Sequence, residues 1–519
     1  MPNMNYSNRF IQVFSLLVCI GLLLTFTGTA TAAPKGGFNY ATSGSQGLKG
    51  LDSHTGTGAT FTTLTSMIHG KLFIKDKDGR LQPDVAESWE FGPNWMWLKV
   101  HLNKNARFHD GVPVTAEDVK FSFERASRKE LKWVFGGEFR RKLDRVEVND
   151  KHTVTIYNKS SYPALPDRCA KYLGIAHKAY IDKVGDVEYS KKTIGAGPFK
   201  LIRYKQDSFT EAEANTDHYR KVPNVKNVRY MNVQENATRV AMLKTGEIDI
   251  ALLSGDTFRE FKNHPEIRLV WSKNTYLATL AYYDLAFPKE NSPLHDVRVR
   301  QACSIAINRK LICEKVLHGK NTPWGDILAP YNAGFDSTLK PDPYDPEKAM
   351  ALLKEAGYPQ GFETTMACTS ATKLENQAIV ADLSKVGIDA KLSVLEHAIW
   401  SRNCRGKKLR GLARHPGPWW VGRSHPASAW NSHLSSKSPW SFYTTPEVDK
   451  GLAELEKLTD EKEIGAKARA MSKYYRGDYI RAPLWSNNIP FALRKTIKFW
   501  APTSGWVYAA LFEYVELAD

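Results

Sequence analysis

Six cysteines in 519 residues are few, and no scaffold would space them this way. Cys19 falls in an N-terminal apolar run, and Cys169, Cys303, Cys313, Cys368 and Cys404 are scattered without a CxxC pair. That spacing excludes a disulfide framework and a zinc ribbon, and if Cys19 leaves with the N-terminal run the five that remain, an odd number, leave at least one thiol without an internal partner in an oxidising compartment. Cys303 lies in an apolar helical pattern and reads as a small buried hydrophobe. Long apolar runs are as scarce: past residue 26 none is long enough to span a bilayer. The HExxH helix and the GxxxxGK[ST] loop are missing, so any ATP hydrolysis would need another polypeptide. Low-complexity linkers and short-period repeats are also lacking. Acidic residues have one conspicuous gap, with no Asp or Glu from His397 through Pro446.

What is present begins with an export signal. Arg9 is the only charged side chain in residues 1–32, a mostly apolar run follows from Phe10 to Phe26, and Ala30-x-Ala32 fits a peptidase site with Ala33 as the new N-terminus. An uncleaved anchor is the alternative, and Gln12 and Gly21 interrupt the run against it. Cys19 follows Val18 rather than a small residue, which argues against a lipid anchor there. The mature chain is expected to be soluble and outside the cytoplasm, in a periplasm. Removing 32 of 519 residues leaves 487, too many for one core, so two or three domains are expected. The net charge of +17 becomes +16 without Arg9. It reads either as attraction to an anionic ligand or membrane surface or as solubility charge spread over a large surface. The spread reading fits the whole chain, leaving "RGKKLRGLARH" at 405–415 as a local basic cluster. Nucleic acid is not an expected partner of an exported protein.

Strand and helix signals intermix throughout, which gives an α/β or α+β class. "KLFIKDKDGRLQPDVAESWEF" reads as a hairpin turning at Asp78-Gly79, and "WMWLKVHLN" alternates as a half-buried strand. Asp76-x-Asp78-Gly79 lacks the remaining ligands of a calcium loop and reads as a turn. "RFHDGVPVTAEDVKFSFERA" raises the question of an acid–base site. Asp110-Gly111 is a turn, Thr115 caps a helix, and Asp118 stands at that helix's positive end. Turn and cap chemistry therefore explain the stretch unaided, and His109 has no partner visible in sequence. In "YDPEKAMALLKEAGYPQGF", Asp345 caps, Pro346 takes the first helical position and Gly357 ends the helix.

Taken together, "RLQPDVAESWEF", "VHLNKNARFHDGVPVTAEDVKFSFER", "GAGPFKLIRY", "ATRVAMLKTGEIDIA", "DVRVRQACSIAINRKLI" and "YDPEKAMALLKEAGYPQGF" resemble the bacterial extracellular solute-binding proteins of family five. These are the peptide- and nickel-binding receptors of ABC importers. The resemblance implies a periplasmic-binding-protein-like two-lobe fold with an extra inserted domain. Its expected parts are a discontinuous first domain (33–71, 189–281 and 488–519), an inserted domain (72–188) and an opposing lobe (282–487). It implies a monomeric receptor without a cofactor, whose lobes close on a ligand as hinged rigid bodies and hand it to an ABC permease complex in the inner membrane. The implied ligand is a peptide or a related solute, anionic ones included. A nickel-chelate or haem receptor is the alternative, resting on His415, His425 and His433, whose spacing fits no standard metal set.

A secreted hydrolase is a rival class. Ser370-Ala371-Thr372-Lys373 matches SxxK and Lys244-Thr245-Gly246 matches KTG, but their order is the reverse of the penicillin-binding enzymes'. The KTG also reads as a helix end leading into a strand. No activated nucleophile is identifiable, so no enzyme is expected.

Ligand contacts are sought in two stretches, with structural alternatives open in both. In 411–433 the alternative is Arg423 pairing with a carboxylate from elsewhere and one tryptophan being core. In 41–61 it is a glycine-rich connection into the helix around 62–69, the favoured reading for each single residue. In "GLARHPGPWWVGRSHPASAWNSH", 411–433, peptide-binding relatives usually carry an aspartate for the peptide's α-ammonium. Here Arg414, His415, Arg423 and His425 stand instead. Arginine there favours a carboxylate or phosphate, which its planar fork holds by two parallel bonds. Trp419 and Trp420 would form an apolar or stacking wall. In "ATSGSQGLKGLDSHTGTGATF", 41–61, Ser45, Gln46, His54 and Thr55 could supply hydrogen bonds. Tyr276, Tyr282 and Tyr283 lie near the expected crossover into the third domain, as hinge, core or contact residues.

Overall fold

The computed structural model describes residues 33–43, 50–56, 59–76, 78–416, 425–442, 445–502 and 511–519. β1 (Lys35–Thr42) comes first, and the hairpin β2 (Phe73–Lys75) and β3 (Leu81–Pro83) turns where Asp78-Gly79 predicts. β4 (Ala86–Phe91), β5 (Trp97–Leu102), β6 (Leu143–Asp150) and β7 (Thr153–Asn158) form a separate antiparallel sheet in the order β4-β5-β7-β6. A core that includes Leu98, Val100, Val119, Phe123, Phe139 and Ile156 fills its buried face. The chain then contributes β8 (Phe199–Lys205), β9 (Phe209–Ala214), β10 (Val225–Asn232), β11 (Ile250–Leu252), β12 (Ile267–Tyr282) and the short β13 (Thr322–Pro323). After these come β14 (Phe362–Thr369), β15 (Ile388–Leu395), β16 (Leu412–Pro416) and β17 (Arg481–Arg494).

One mixed sheet runs through both lobes in the order β15-β14-β16-β12-β17-β11-β1-β10-β9-β8. β12 and β17 are its two long members, antiparallel to each other, and only they belong to both halves. The start of β12 and the end of β17 pair beside β11, whereas the end of β12 pairs with β16. Two cores follow from this division. Phe38, Tyr40, Leu64, Ile250 and Leu493 lie in one, and Leu280, Val299, Ile379, Leu412 and Trp485 in the other.

The sequence punctuation is realised locally. Thr115 opens the helix Ala116–Ala126 with a capping box closed by Asp118, whose Oδ2 accepts from the Thr115 N–H at 3.0 Å. His109, partnerless in sequence, has its Nε2 3.0 Å from the Gly197 carbonyl oxygen, and Asp110 faces His177 at 3.1 Å. Asp345 accepts from the Lys348 N–H at 2.9 Å, and Gly357 ends its helix at φ +93°. The KTG lies where the helix Asn236–Thr245 stops, with Gly246 at φ +86°, just ahead of β11. "GAGPF" needs its glycines because the chain passes against the end of another helix: a Cβ on Gly195 would lie 2.0 Å from the Ile68 oxygen. Among the described residues no helix is long and apolar enough to cross a membrane.

Candidate functional site

Where the sheet passes between lobes, its ladder breaks. β12 and β17 lose register between Ser272 and Tyr276, and Asn274 takes a left-handed φ of +53°. Side-chain amides fill the gap. The Asn274 N–H donates to Asn488 Oδ1 at 3.0 Å, and Asn487 Nδ2 donates to the Tyr276 oxygen at 3.2 Å. Asn321 Nδ2 donates to Asn487 Oδ1 at 3.0 Å, Asn488 Nδ2 to the Lys320 oxygen at 2.8 Å, and the Tyr331 hydroxyl to the Asn274 oxygen at 2.8 Å. Asparagine suits the place because it tolerates the left-handed region and carries a donor and an acceptor of its own.

A charged wall stands beside this crossing. Arg414 comes from β16, paired opposite Leu280, and Glu375 from the first turn of the helix Lys373–Ser384. Arg414 Nε lies 2.8 Å from Glu375 Oε2, both groups being buried. Burial opposes the guanidinium's charge, but the Glu375 carboxylate and the Tyr276 hydroxyl together outweigh it and raise the arginine's pKa. The pair is an ion pair at charge-assisted contact distance, which neutralises both buried groups. The same guanidinium reaches Asn487 Oδ1 at 3.2 Å and the half-buried Tyr276 hydroxyl at 3.5 Å. Lys320 is within electrostatic reach of Glu375 and Arg414, and burial depresses its pKa.

Buried polar atoms without partners concentrate here. Fourteen such side-chain atoms lack a hydrogen-bond partner among the described residues; around this crossing Glu375 and Arg414 are ion-paired with each other, and atoms of Asn376, Trp485 and Ser486 are left without one. A buried polar atom left unpaired costs stability, so a cluster of them marks a place where a bound molecule can supply the missing bonds.

Behind the wall, Arg481 is buried with no carboxylate within 4 Å among the described residues. It donates to the Trp440 and His433 oxygens at 2.8 and 3.4 Å and to His415 Nδ1 at 3.0 Å. Burial pulls its pKa down to about 10. His415 is enclosed by Tyr283, Trp400, Trp440 and Phe442, and its Nε2 faces Cys404 Sγ at 3.6 Å. Burial, with Arg481 adding to it, drives the His415 pKa well below the ordinary histidine value.

The residues singled out in sequence therefore disperse. Arg414 stands at the crossing with Tyr276, and His415 lies in the packed interior behind it. His425 caps the helix Pro426–His433, sets its Nε2 3.2 Å from the Leu458 oxygen, and meets Trp95 edge-on with ring centroids 5.7 Å apart. His54 lies elsewhere. Its Nε2 is 2.9 Å from the Gly174 oxygen and its Nδ1 is 3.0 Å from Arg125, which also pairs with Asp52 at 2.5 Å. Both ring nitrogens are thus engaged where the segment after β1 meets the β4–β7 unit. Thr55 is exposed beside it and hydrogen-bonds to the Asp52 oxygen at 2.8 Å. Tyr282 donates to the Arg300 oxygen at 2.9 Å, and Tyr283 packs on Phe442. Ser45, Gln46, Trp419, Trp420 and Arg423 lie outside the described residues.

Sequence reasoning missed Glu375, Asn487, Asn488 and Arg481. Glu375 sits on a helix that reads as plain surface, with exposed Leu374 beside it. The Asn487-Asn488 pair in a strand otherwise rich in apolar residues was the one available signal, because adjacent asparagines fit poorly in a regular ladder.

Residues 80–441 match the sequence profile described as bacterial extracellular solute-binding proteins, family 5 Middle. Among relatives, the chain is 28% identical over 383 residues to haem-binding protein A of Haemophilus influenzae, covering 68% of this chain and 69% of that protein. It is 26% identical over 432 residues to the glutathione-binding protein GsiB of Pectobacterium atrosepticum, covering 80% and 82%. The fold is that of HbpA2 from Haemophilus parasuis, with a TM-score of 0.81 at 22% identity, covering 93% of this chain and 100% of that one.

Proposed function

The chain belongs to the bacterial extracellular solute-binding proteins, family 5, and we propose that it is an ABC-importer receptor for a short peptide-like solute carrying free carboxylates. The observation that carries this reading is the set of buried polar atoms of Asn376, Trp485 and Ser486 without a hydrogen-bond partner at the strand crossing, beside the charged groups Arg414, Glu375 and Lys320. A hinged cleft with such a wall needs a molecule that brings both acceptors and donors. A peptide backbone with a carboxylate end does so, and a purely apolar solute does not. The relative named for glutathione supports the choice, since glutathione is a small peptide with two carboxylates.

Arg414 is the proposed anchor on the described wall, with Trp419, Trp420 and Arg423 as further contacts. Their support is that residues 417–424 follow directly on Pro416 at the end of β16. Ser45 is proposed on the opposite lobe, because its stretch follows β1. We take the three-part division, a discontinuous first domain, an insertion and an opposing lobe, as the working unit of closure. The setting is a periplasm, reached by the leader in residues 1–32, and the partner is a membrane permease. The solute leaves unaltered. For the metal-chelate alternative, which rested on His415, His425 and His433, the described residues hold no group of three side chains placed to bind a metal ion.

Thermal melting against reduced glutathione, unblocked tripeptides, their C-terminal amides, haemin and a nickel–histidine complex tests the reading. A rise in Tm with the carboxylate-bearing peptides, reduced on amidation and without product formation, is expected. A rise with haemin or nickel–histidine alone would overturn the ligand class, and turnover would overturn the receptor.

A further inference from the structure

The two lobes touch at a second place, remote in sequence from the crossing strands. On the β4–β7 unit, the Trp95 indole N–H donates to the Leu458 oxygen at 2.6 Å. Lys142 Nζ pairs with Glu456 Oε1 at 2.8 Å, and the Ser161 hydroxyl donates to the Glu456 oxygen at 2.5 Å. Residues 456–458 follow the helix Pro446–Leu455, which packs in the core of the opposing lobe through Val448, Leu452 and Leu455. His425 completes the contact, holding the same Leu458 oxygen and meeting the edge of Trp95.

These groups are built for the contact. Trp95 sits at φ +57° after Asn94 at +52°, two consecutive non-glycine residues in the left-handed region. Such a turn costs free energy and persists where its surroundings determine it. Phe91 packs on the indole with ring centroids 4.6 Å apart, and the Asn158 side chain donates to the Trp95 oxygen at 2.7 Å. The tryptophan is therefore presented from a fixed platform. On the other side, Leu458 offers a backbone oxygen, which a side-chain substitution cannot remove.

We infer that Trp95, Lys142, Ser161, Glu456, Leu458 and His425 form a clasp that draws the lobes together without solute and so sets part of the binding affinity. A hinged receptor binds through the fraction of molecules already near the closed form, so a contact made only on closure raises that fraction. No residue of the clasp belongs to the wall around Arg414. The inference rests on the receptor reading only for its consequence for affinity, since closure itself can be measured without any solute.

Small-angle scattering on protein stripped of co-purified molecules by urea dialysis and refolding tests it. Wild type is expected to be more compact than Trp95→Ala, with Trp95→Phe, which keeps the ring but loses the donor, between them. Paired fluorophores on the two lobes should show Lys142→Ala lowering the closed-to-open ratio about two- to fivefold, the worth of a partly exposed ion pair. Lys142→Glu should open the molecule further, and Lys142→Glu with Glu456→Lys should restore it. A simple loss of fold would not be rescued by the exchange. Identical scattering and fluorescence in all variants, or an exchange that restores nothing, would overturn the clasp while leaving the receptor reading intact.

Discussion

The guanidinium of Arg414 lies 2.8 Å from the carboxylate of Glu375, so the one described cation of the expected basic segment that stands at the crossing already has a counter-charge. The gap in acidic residues from His397 through Pro446 is bridged in space by a carboxylate from another part of the chain. A solute carboxylate would therefore share Arg414 with Glu375, through the Nη2 edge that otherwise meets only Asn487 and Tyr276.

Two substitutions separate the roles of this pair. Glu375→Gln leaves a buried guanidinium without its partner, and the folded state should lose stability, up to roughly 3–5 kcal/mol if burial is complete. The same change frees Arg414, so reduced glutathione should bind more tightly to Glu375→Gln and more weakly to Arg414→Ala. Urea midpoints and titration calorimetry read the two effects. Equal affinities in both variants would remove Arg414 from the contact.

At the crossing, Asn487 joins Tyr276, Asn321 and Arg414 through one amide. Asn487→Ala strands those groups and should cost about 1–3 kcal/mol of stability. Asn274, at φ +53°, responds differently: Asn274→Ala should cost about 1–2 kcal/mol, whereas Asn274→Gly should stay close to wild type. Urea denaturation distinguishes them. Equal losses for the alanine and glycine variants would mean that backbone strain plays no part there.

Much of this architecture was legible before any coordinates, because it is written in short-range chemistry. The Thr115–Asp118 box, the Asp345-Pro346 start, Gly357 and the Asp78-Gly79 turn each need only a few neighbouring residues, and the order of such signals along the chain carried the family resemblance. The site was less legible because it is assembled from distant parts. Glu375, Arg414 and Asn487 come from a helix, β16 and β17, and nothing in the sequence near any one of them announces the other two. His54 shows the same limit from the other direction. It stands in a polar, glycine-rich stretch that suits a ligand loop, yet Arg125 and Gly174 occupy both its nitrogens.

The five described cysteines are all buried and unpaired. Burial pushes the Cys404 thiol up to about 11 and those of Cys303 and Cys313 up to about 12, which suppresses the reactive thiolate. Native protein should react with a thiol reagent such as dithionitrobenzoate only on the timescale of unfolding, and all five should react in urea. A fast native phase would show that one of these thiols is reached by solvent.

Histidine burial sets the acid limit. Burial, with Arg125 adding to it, lowers His54 to about 4, and burial alone leads the lowering of His109 and His425 to about 4. Each is neutral in the folded chain at pH 5, while the unfolded chain binds a proton below its ordinary value near 6.5. Between pH 6.5 and 4 the unfolded state thus holds more protons, so stability falls as pH falls through that window, by on the order of 2 kcal/mol per histidine from pH 7 to pH 5. Asp52 acts lower down. Burial opposes its charge, but Arg125 outweighs burial and holds it below the usual carboxylate range, so its contribution disappears only on further acidification. His54→Gln cannot titrate. Its urea midpoint should start below wild type at pH 7, because Arg125 loses a partner, and should then fall less steeply toward pH 5. Parallel slopes for the two proteins would show that His54 takes up its proton in the folded chain as readily as in the unfolded one.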